Sequence, residues 1–255
     1  MSGTTHVLTI AGFDPSAGAG VLSDIKTFEA HGVKGIGVCT ALTAQNEEEF
    51  KEVFWIDEKK ILAQMETLLS LYEVSHVKIG LIKNTRVLSN IITELYTYNP
   101  NTRIIWDPIL KASAGSVFHG DINHHEVAKI CKTIFLATPN LEEMNTLFPD
   151  WNDHDGHSAL NYPCAVLLKG GHGSSKWAKD VLYWEETKTS FEDEWIESEK
   201  HGTGCVLSSA ITANLAKGMG LKDACFNGKK YISEFIKSSP ARLGNHNYEG
   251  IKTYC

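Results

Sequence analysis

Short apolar runs alternate with amphipathic helical stretches almost from end to end of this chain, and that alternation leaves few folds open. Residues 7–11, 36–40, 77–81, 104–106, 134–137, 165–168 and 181–184 read as buried strands, with a shorter run at 53–56. Between them, residues 17–31 carry Val21, Ile25 and Phe28 on one helical face. Residues 58–72 place Ile61, Met65, Leu68 and Tyr72 at i, i+4, i+7 and i+11, and 84–97 do the same with Val87, Ile91 and Leu95. Further helices are expected in the 124–133 region and over 142–147, 205–217 and 221–238. Apolar strands that take turns with helices form a mostly parallel sheet covered on both faces. The expectation is one α/β domain over residues 1–255.

Ligands of such sheets bind beyond the carboxyl ends of the strands. Here every strand end carries polar or glycine-rich residues. Gly12 to Gly20 follow the first strand, Thr43 to Asn46 the second, and Gly80 lies in the 77–81 run. Asp107-Pro108, Thr138-Pro139-Asn140 and Lys169-Gly170-Gly171-His172 follow later ones. The pattern reads as the rim of an active site.

The pentapeptide His201-Gly202-Thr203-Gly204-Cys205 closes an acidic, loop-like segment and opens a helix with Val206, Leu207, Ala210, Ile211 and Leu215 as its apolar residues. Two glycines let the backbone approach a ligand. The first N–H groups of a helix lack intrahelical partners and lie at its positive end, which makes an anion site. The same field would favour a thiolate at Cys205. The bland alternative is a small buried hydrophobe at an ordinary helix start.

Composition bounds the partners. Net charge is −7 with no basic run, so nucleic acid and anionic membranes are not expected. No stretch has the length of a membrane span or a signal h-region. The six cysteines are scattered without metal-type spacing, which suits free thiols in a reducing cytoplasm.

Several residues then stand as candidates, each with a plain structural alternative. The Gly12 to Gly20 loop fits neither G-x-x-x-x-G-K-[ST] nor G-x-G-x-x-G, but its small residues admit a flat ligand. Asp24, one turn into the next helix, faces either that pocket or solvent. The Gln45 amide offers a donor and an acceptor, which suits a ring nitrogen beside an exocyclic amine. Asp107, Asn140 and Glu143 could organise Mg²⁺ and its waters around nucleotide phosphates, or cap turns. Lys169, at a strand end, could meet the phosphates. His119, His124, His125, His154 and His157 fall in loops, and a metal site at His154-Asp155-Gly156-His157 is weakly supported.

Taken together these segments resemble a known family. The run Leu8-Thr9-Ile10-Ala11-Gly12-Phe13-Asp14-Pro15-Ser16-Ala17-Gly18-Ala19-Gly20, continued by Asp24-Ile25-Lys26-Thr27, is similar to the N-terminal signature of the hydroxymethylpyrimidine/phosphomethylpyrimidine kinases of thiamine biosynthesis, in the ribokinase-like superfamily. Thr40-Ala41-Leu42-Thr43-Ala44-Gln45-Asn46, Lys78-Ile79-Gly80-Leu81, Asp107-Pro108-Ile109-Leu110, Thr138-Pro139-Asn140-Leu141-Glu142-Glu143, Lys169-Gly170-Gly171-His172 and the 201–205 loop match in the same order.

The resemblance implies a three-layer α/β/α fold. It implies ATP- and Mg²⁺-dependent phosphorylation of 4-amino-5-hydroxymethyl-2-methylpyrimidine and then of its monophosphate, by a homodimer. By match, Gln45 reads the aminopyrimidine edge, while Gly12, Ala19, Asp24, Leu81 and Ile109 shape the substrate pocket. Asp107, Asn140, Glu143 and Lys169 serve the nucleotide, with Asp107 and Glu143 toward the metal. Gly202, Thr203, Gly204 and Cys205 form the anion hole, with Cys205 where related enzymes carry an Asp base. One preorganised donor in such a hole is worth roughly 3–4 kcal/mol, and a general base about 10²–10⁴-fold.

The chain also departs from the family. Leu81 stands where Met is frequent, Val206 where Thr is usual, and Arg242-Leu243-Gly244-Asn245-His246 where a glycine-proline run is common. These departures leave open the second phosphorylation, a pyridoxal, pyridoxine or pyridoxamine kinase of the same superfamily, and a non-catalytic pyrimidine sensor.

Overall fold

In the first strand, β1 (His6–Phe13), side chains alternate between two faces, and both faces are buried. Leu8 and Ile10 join one apolar cluster, whereas Val7 packs with Phe28, Val33 and Ala213 on the other side. This two-sided burial, repeated strand after strand, is what forces helices onto both faces of the sheet.

A computed structural model describes residues 5–110, 123–149, 164–170 and 176–246. Its elements follow in chain order as α1 (Gly20–Ala30), β2 (Lys34–Gln45), β3 (Phe50–Trp55), α2 (Glu58–Leu69), β4 (Val74–Ile79), α3 (Thr85–Tyr98) and β5 (Arg103–Trp106). Then come α4 (His124–Cys131), β6 (Leu136–Ala137), α5 (Leu141–Leu147), β7 (Ala165–Leu168), β8 (Trp177–Trp184), β9 (Thr187–Glu194), α6 (Thr203–Ala216) and α7 (Leu221–Lys237). Among the described residues the strands form one nine-stranded sheet in the order β3-β2-β1-β4-β5-β6-β7-β8-β9. Pairing is parallel from β2 across to β7 and antiparallel at both margins.

Helices α2 to α5 cover one face through Ile61, Met65, Ile91, Val127 and Met144. Helices α6 and α7 cover the other through Val206, Ile211, Ala224 and Phe235 against Ile105, Leu167 and Leu182. This is the expected three-layer α/β/α sandwich. Truncating a fully buried residue such as Ile79 to Ala would cost about 2–5 kcal/mol. Among the described residues no helix is long and apolar enough to cross a membrane.

Besides shifted ends, with β2 running on to Gln45, β8 starting at Trp177 and β6 keeping only Leu136–Ala137, two elements differ in kind from the sequence expectation. Strand β9 lies in a stretch whose later part reads as acidic loop, because an edge strand needs little apolar patterning and only Phe191 of its side chains is buried. Helix α6 is no one-striped amphipath: every residue from Cys205 to Leu215 is buried, including Ser208, Ser209, Thr212 and Asn214. The 154–157 stretch, His119, Gly171 and His172 lie outside the described residues.

Candidate active site

The first loop and the 201–205 loop meet backbone to backbone where each carries a glycine, Gly18 and Gly202. Gly202 adopts φ 74°, and a Cβ there would meet the Gly18 carbonyl oxygen at 1.9 Å. Only glycine tolerates both the left-handed backbone and that contact. Gly202 is the N-cap of α6, and no side chain caps this end, so its first N–H groups are turned to the carboxyl edge of the sheet.

The junction is locked by a buried polar contact. Asp14, 1% exposed, accepts hydrogen bonds from Ser16 and from the Ala19 N–H, and its Oδ2 lies 2.7 Å from His201 Nε2. Burial opposes its charge, but the bonds from His201 and Ser16 win and hold its carboxyl below the usual range. Neither Asp14 nor His201 stood out as a site residue in the sequence. Their role needs two segments that meet only in the fold.

On one side of this junction lie the residues matched to substrate recognition. Thr43 Oγ1 donates to the Phe13 carbonyl at 2.9 Å and ties the β2–β3 hairpin to the first loop. Gln45 ends β2 at a bulge opposite Phe50, partly exposed. Leu81 packs so closely on Gly12 that a Cβ there would sit 3.0 Å from Leu81 Cδ2. Gly12, Ala19, Gln45 and Leu81 are thereby gathered near the ends of β1, β2 and β4. Ile109 sits apart from them, in a narrow cleft with Ile82, Leu88 and Trp106.

Asp24 does not face solvent. Its carboxylate is fully buried, 2.9 Å from the Lys78 ammonium, and accepts bonds from Thr9 and Ser209. Position 24 is helical, but α1 turns that face into the sheet, where the inward side chain of β4 is a lysine. Burial opposes the Lys78 charge, yet Asp24 holds its pKa well above the ordinary value.

On the other side lies a second, similar chain of contacts. Lys169 Nζ is 2.7 Å from Asp107 Oδ1 and 3.9 Å from Glu143 Oε2. Asp107 also accepts from Thr138 at 3.0 Å and from Ser208 at 3.1 Å. A Cβ on Gly204 would stand 3.2 Å from Lys169 Nζ, so the start of α6 rests beside this cation. Burial opposes the Asp107 charge, but Lys169 and Lys78 keep its carboxyl below the usual range.

Asn140 and Glu143 form a reciprocal capping box: Asn140 Oδ1 accepts from the Glu143 N–H and Glu143 Oε2 from the Asn140 N–H, both at 2.8 Å. The capping alternative thus holds for both. It also presents them beside Lys169. Burial lifts the Glu143 carboxyl to about 7, with Lys169 opposing and Asp107 adding to the rise.

Cys205 lies where burial works against the expected thiolate. Burial pushes the thiol up to about 11, although Lys78 pulls the other way. The residue is 6% exposed, and desolvation outweighs the pull of Lys78 and of the Gly20 N–H.

The carboxylates suit a water-rich cation more than a protein cage. Among the described residues no three His, Cys, Asp or Glu side chains converge as a metal site. Mg²⁺ ordinarily takes one or two carboxylates with waters and phosphates, and Asp107 with Glu143 is a donor set of that kind. A cleft of about 410 Å³ opens elsewhere, near Leu71, Tyr72, Leu95 and Tyr98, and none of the expected site residues lines it.

Solved structures share this arrangement of layers. The phosphomethylpyrimidine kinase of Clostridium difficile superposes with a TM-score of 0.75 at 31% identity, covering 91% of this chain and 99% of that one. The pyridoxal kinase of Bacillus subtilis, solved as an ADP complex, gives 0.83 at 27% identity, covering 96% and 97%. The three-layer α/β/α sandwich, with an uncapped, glycine-opened helix at the carboxyl edge of its sheet, has the ribokinase-like architecture of these kinases. The hydroxymethylpyrimidine/phosphomethylpyrimidine kinase of Aquifex aeolicus is 32% identical over 241 residues, covering 91% of this chain and 94% of that protein. The profile described as phosphomethylpyrimidine kinase matches residues 14–250. This chain belongs to the phosphomethylpyrimidine kinase family.

Proposed function

We propose that this protein transfers the γ-phosphoryl of ATP to the hydroxymethyl group of 4-amino-5-hydroxymethyl-2-methylpyrimidine, and then phosphorylates the monophosphate, in thiamine biosynthesis. The observation that carries the reading is the seating of Gly202 on Gly18, which sets the open start of α6 between the Gln45 hairpin and the Lys169–Asp107 pair.

Phosphoryl transfer asks a protein mainly to position groups and neutralise charge. Gln45 is assigned to the aminopyrimidine edge, with Gly12, Ala19 and Leu81 around the ring. Backbone N–H groups of Thr203, Gly204 and Cys205 steady the transferring group, and Lys169 offsets its charge. Asp107 and Glu143 would hold Mg²⁺, which supplies further charge neutralisation, and Asn140 keeps Glu143 in place. Burial pushes the Cys205 thiol up to about 11, and only its ionised form can take the substrate proton.

A homodimer and a cytoplasmic location complete the reading. Leu42 and Phe54, half-exposed cross-strand partners on the β2–β3 hairpin, offer an apolar edge for a second copy. Light scattering of the purified protein tests that assembly.

One observation favours a second reading. The TM-score to the Bacillus pyridoxal kinase exceeds that to the Clostridium phosphomethylpyrimidine kinase, so a vitamin B6 kinase stays in the test. ATP consumption is measured with the pyrimidine alcohol, its monophosphate and pyridoxal side by side, and the product masses are checked. Mono- and diphosphate products of the pyrimidine are expected. Turnover of pyridoxal alone would overturn the assignment of Gln45, and no turnover with any acceptor would leave a sensor.

A further inference from the structure

Asp180 is a buried carboxylate that none of the site motifs contains. It lies in β8 just before the buried Val181, Leu182 and Tyr183, and is 3% exposed. Its Oδ1 accepts the Gly170 N–H at 2.9 Å, and its Oδ2 lies 3.0 Å from Lys229 Nζ on α7. Both side chains of that pair are almost fully enclosed. Burying two charges costs several kcal/mol per ion before their attraction repays it, and an apolar pair would pack as well. What an apolar pair cannot supply is an acceptor for Gly170.

Gly170 immediately follows Lys169, and its backbone is pressed against β8. A Cβ at position 170 would meet the Lys179 carbonyl oxygen at 1.8 Å. On its other flank, the Lys169 N–H donates to the Pro139 carbonyl at 2.8 Å, next to Asn140. The backbone that carries Lys169 is thus held from β6 on one side and by Asp180 on the other.

We infer that Asp180, charge-balanced by Lys229, is a positioning residue for the nucleotide: it fixes Gly170 and so aims the Lys169 ammonium at the phosphates. It touches neither acceptor nor reacting atoms. The inference rests on the kinase reading of the Lys169–Asp107 site.

The test separates the bond from the charge. In the double variant Asp180→Leu/Lys229→Met an apolar pair replaces the ions, so folding is retained while Gly170 loses its acceptor. The expected result is a melting temperature at or above the parent's, a KM for ATP raised about tenfold, and a KM for the pyrimidine within about twofold. Asp180→Asn keeps an oxygen for Gly170 and is expected to leave the KM for ATP near the parent's. An unchanged KM for ATP in the double variant overturns the inference, as does a parallel rise of both KM values or an equal rise in Asp180→Asn.

ADP binding by calorimetry is run on the same proteins. A parent that binds ADP without turning over any acceptor removes the proposed reaction, and the ratio of ADP affinities then decides on Asp180. A parent that binds no ADP overturns both.

Discussion

His201 Nε2 lies 2.7 Å from Asp14 Oδ2, across 187 positions of sequence. This bond joins the loop after the first strand to the loop that opens α6, and so fixes the distance between the two loops to which the proposed function assigns acceptor and anion. The His201 ring also touches the space above Gly18, where a Cβ would come within 2.5 Å of it.

His201→Ala should therefore weaken both fold and function. A buried hydrogen bond to a charged group is worth about 1.5–3 kcal/mol, and stability is expected to fall by that order in urea titrations. Turnover efficiency should drop about 10- to 100-fold, since small misplacements of reacting groups are costly. His201→Gln, which can still donate to Asp14, should restore part of both. Equal loss in the two variants would mean that ring packing, and not the bond, matters.

Cys205 is expected to give a pH-dependent rate. With its thiol pushed up to about 11, the ionised form is rare at neutral pH. If Cys205 takes the substrate proton, kcat climbs as pH rises from 7 to 9, and Cys205→Ala lowers kcat by about 10²-fold or more. A flat profile together with near-full activity of a folded Cys205→Ala protein removes it from proton transfer.

The buried pair of Lys78 and Asp24 should behave as a unit. Lys78→Met leaves the Asp24 carboxylate enclosed without its ammonium, a change expected to cost about 3–5 kcal/mol. Asp24→Asn strands the lysine instead. The double variant should be more stable than Lys78→Met alone. Denaturant unfolding of the four proteins gives the coupling, and simple additivity would refute the pairing.

Acid sensitivity should trace in part to His76. Burial, with Arg103 nearby, lowers its pKa to about 4, and its enclosed Nε2 has no partner among the described residues. The folded state therefore holds this ring neutral between about pH 4 and 6.5, where the unfolded chain protonates it. Its contribution is present above pH 6.5 and is lost as pH falls toward 4. His76→Gln should flatten the fall of melting temperature over that window. An unchanged slope would place the acid sensitivity elsewhere.

The strand and helix order was legible because parallel strands buried on both faces must be apolar, and helices above them must carry one apolar face. Residues 165–168 needed no revision, and β1 and α3 shifted only at their ends. The close contacts of the 201–205 loop were legible too, since Gly202 and Gly204 at a helix start mark where other groups come near the backbone. Strand β9 was not, because an edge strand carries little apolar pattern. The Asp24 pairing was hidden for a related reason: periodicity tells which face of a helix is apolar, but not that a buried lysine waits opposite one polar position.

By itself, then, the sequence determined the layered fold, the family, and the loops at which chemistry gathers. Each of these rests on local spacing and on residues adjacent along the chain. Only the tertiary structure decided which charges balance each other. Lys78 meets Asp24, Lys169 meets Asp107, and the neighbouring serines Ser209 and Ser208 tie α6 to both pairs. It also raises the Cys205 thiol and the Glu143 carboxyl above their ordinary values through burial. Those properties depend on desolvation and on partners distant in sequence, and both exist only once the layers close around them.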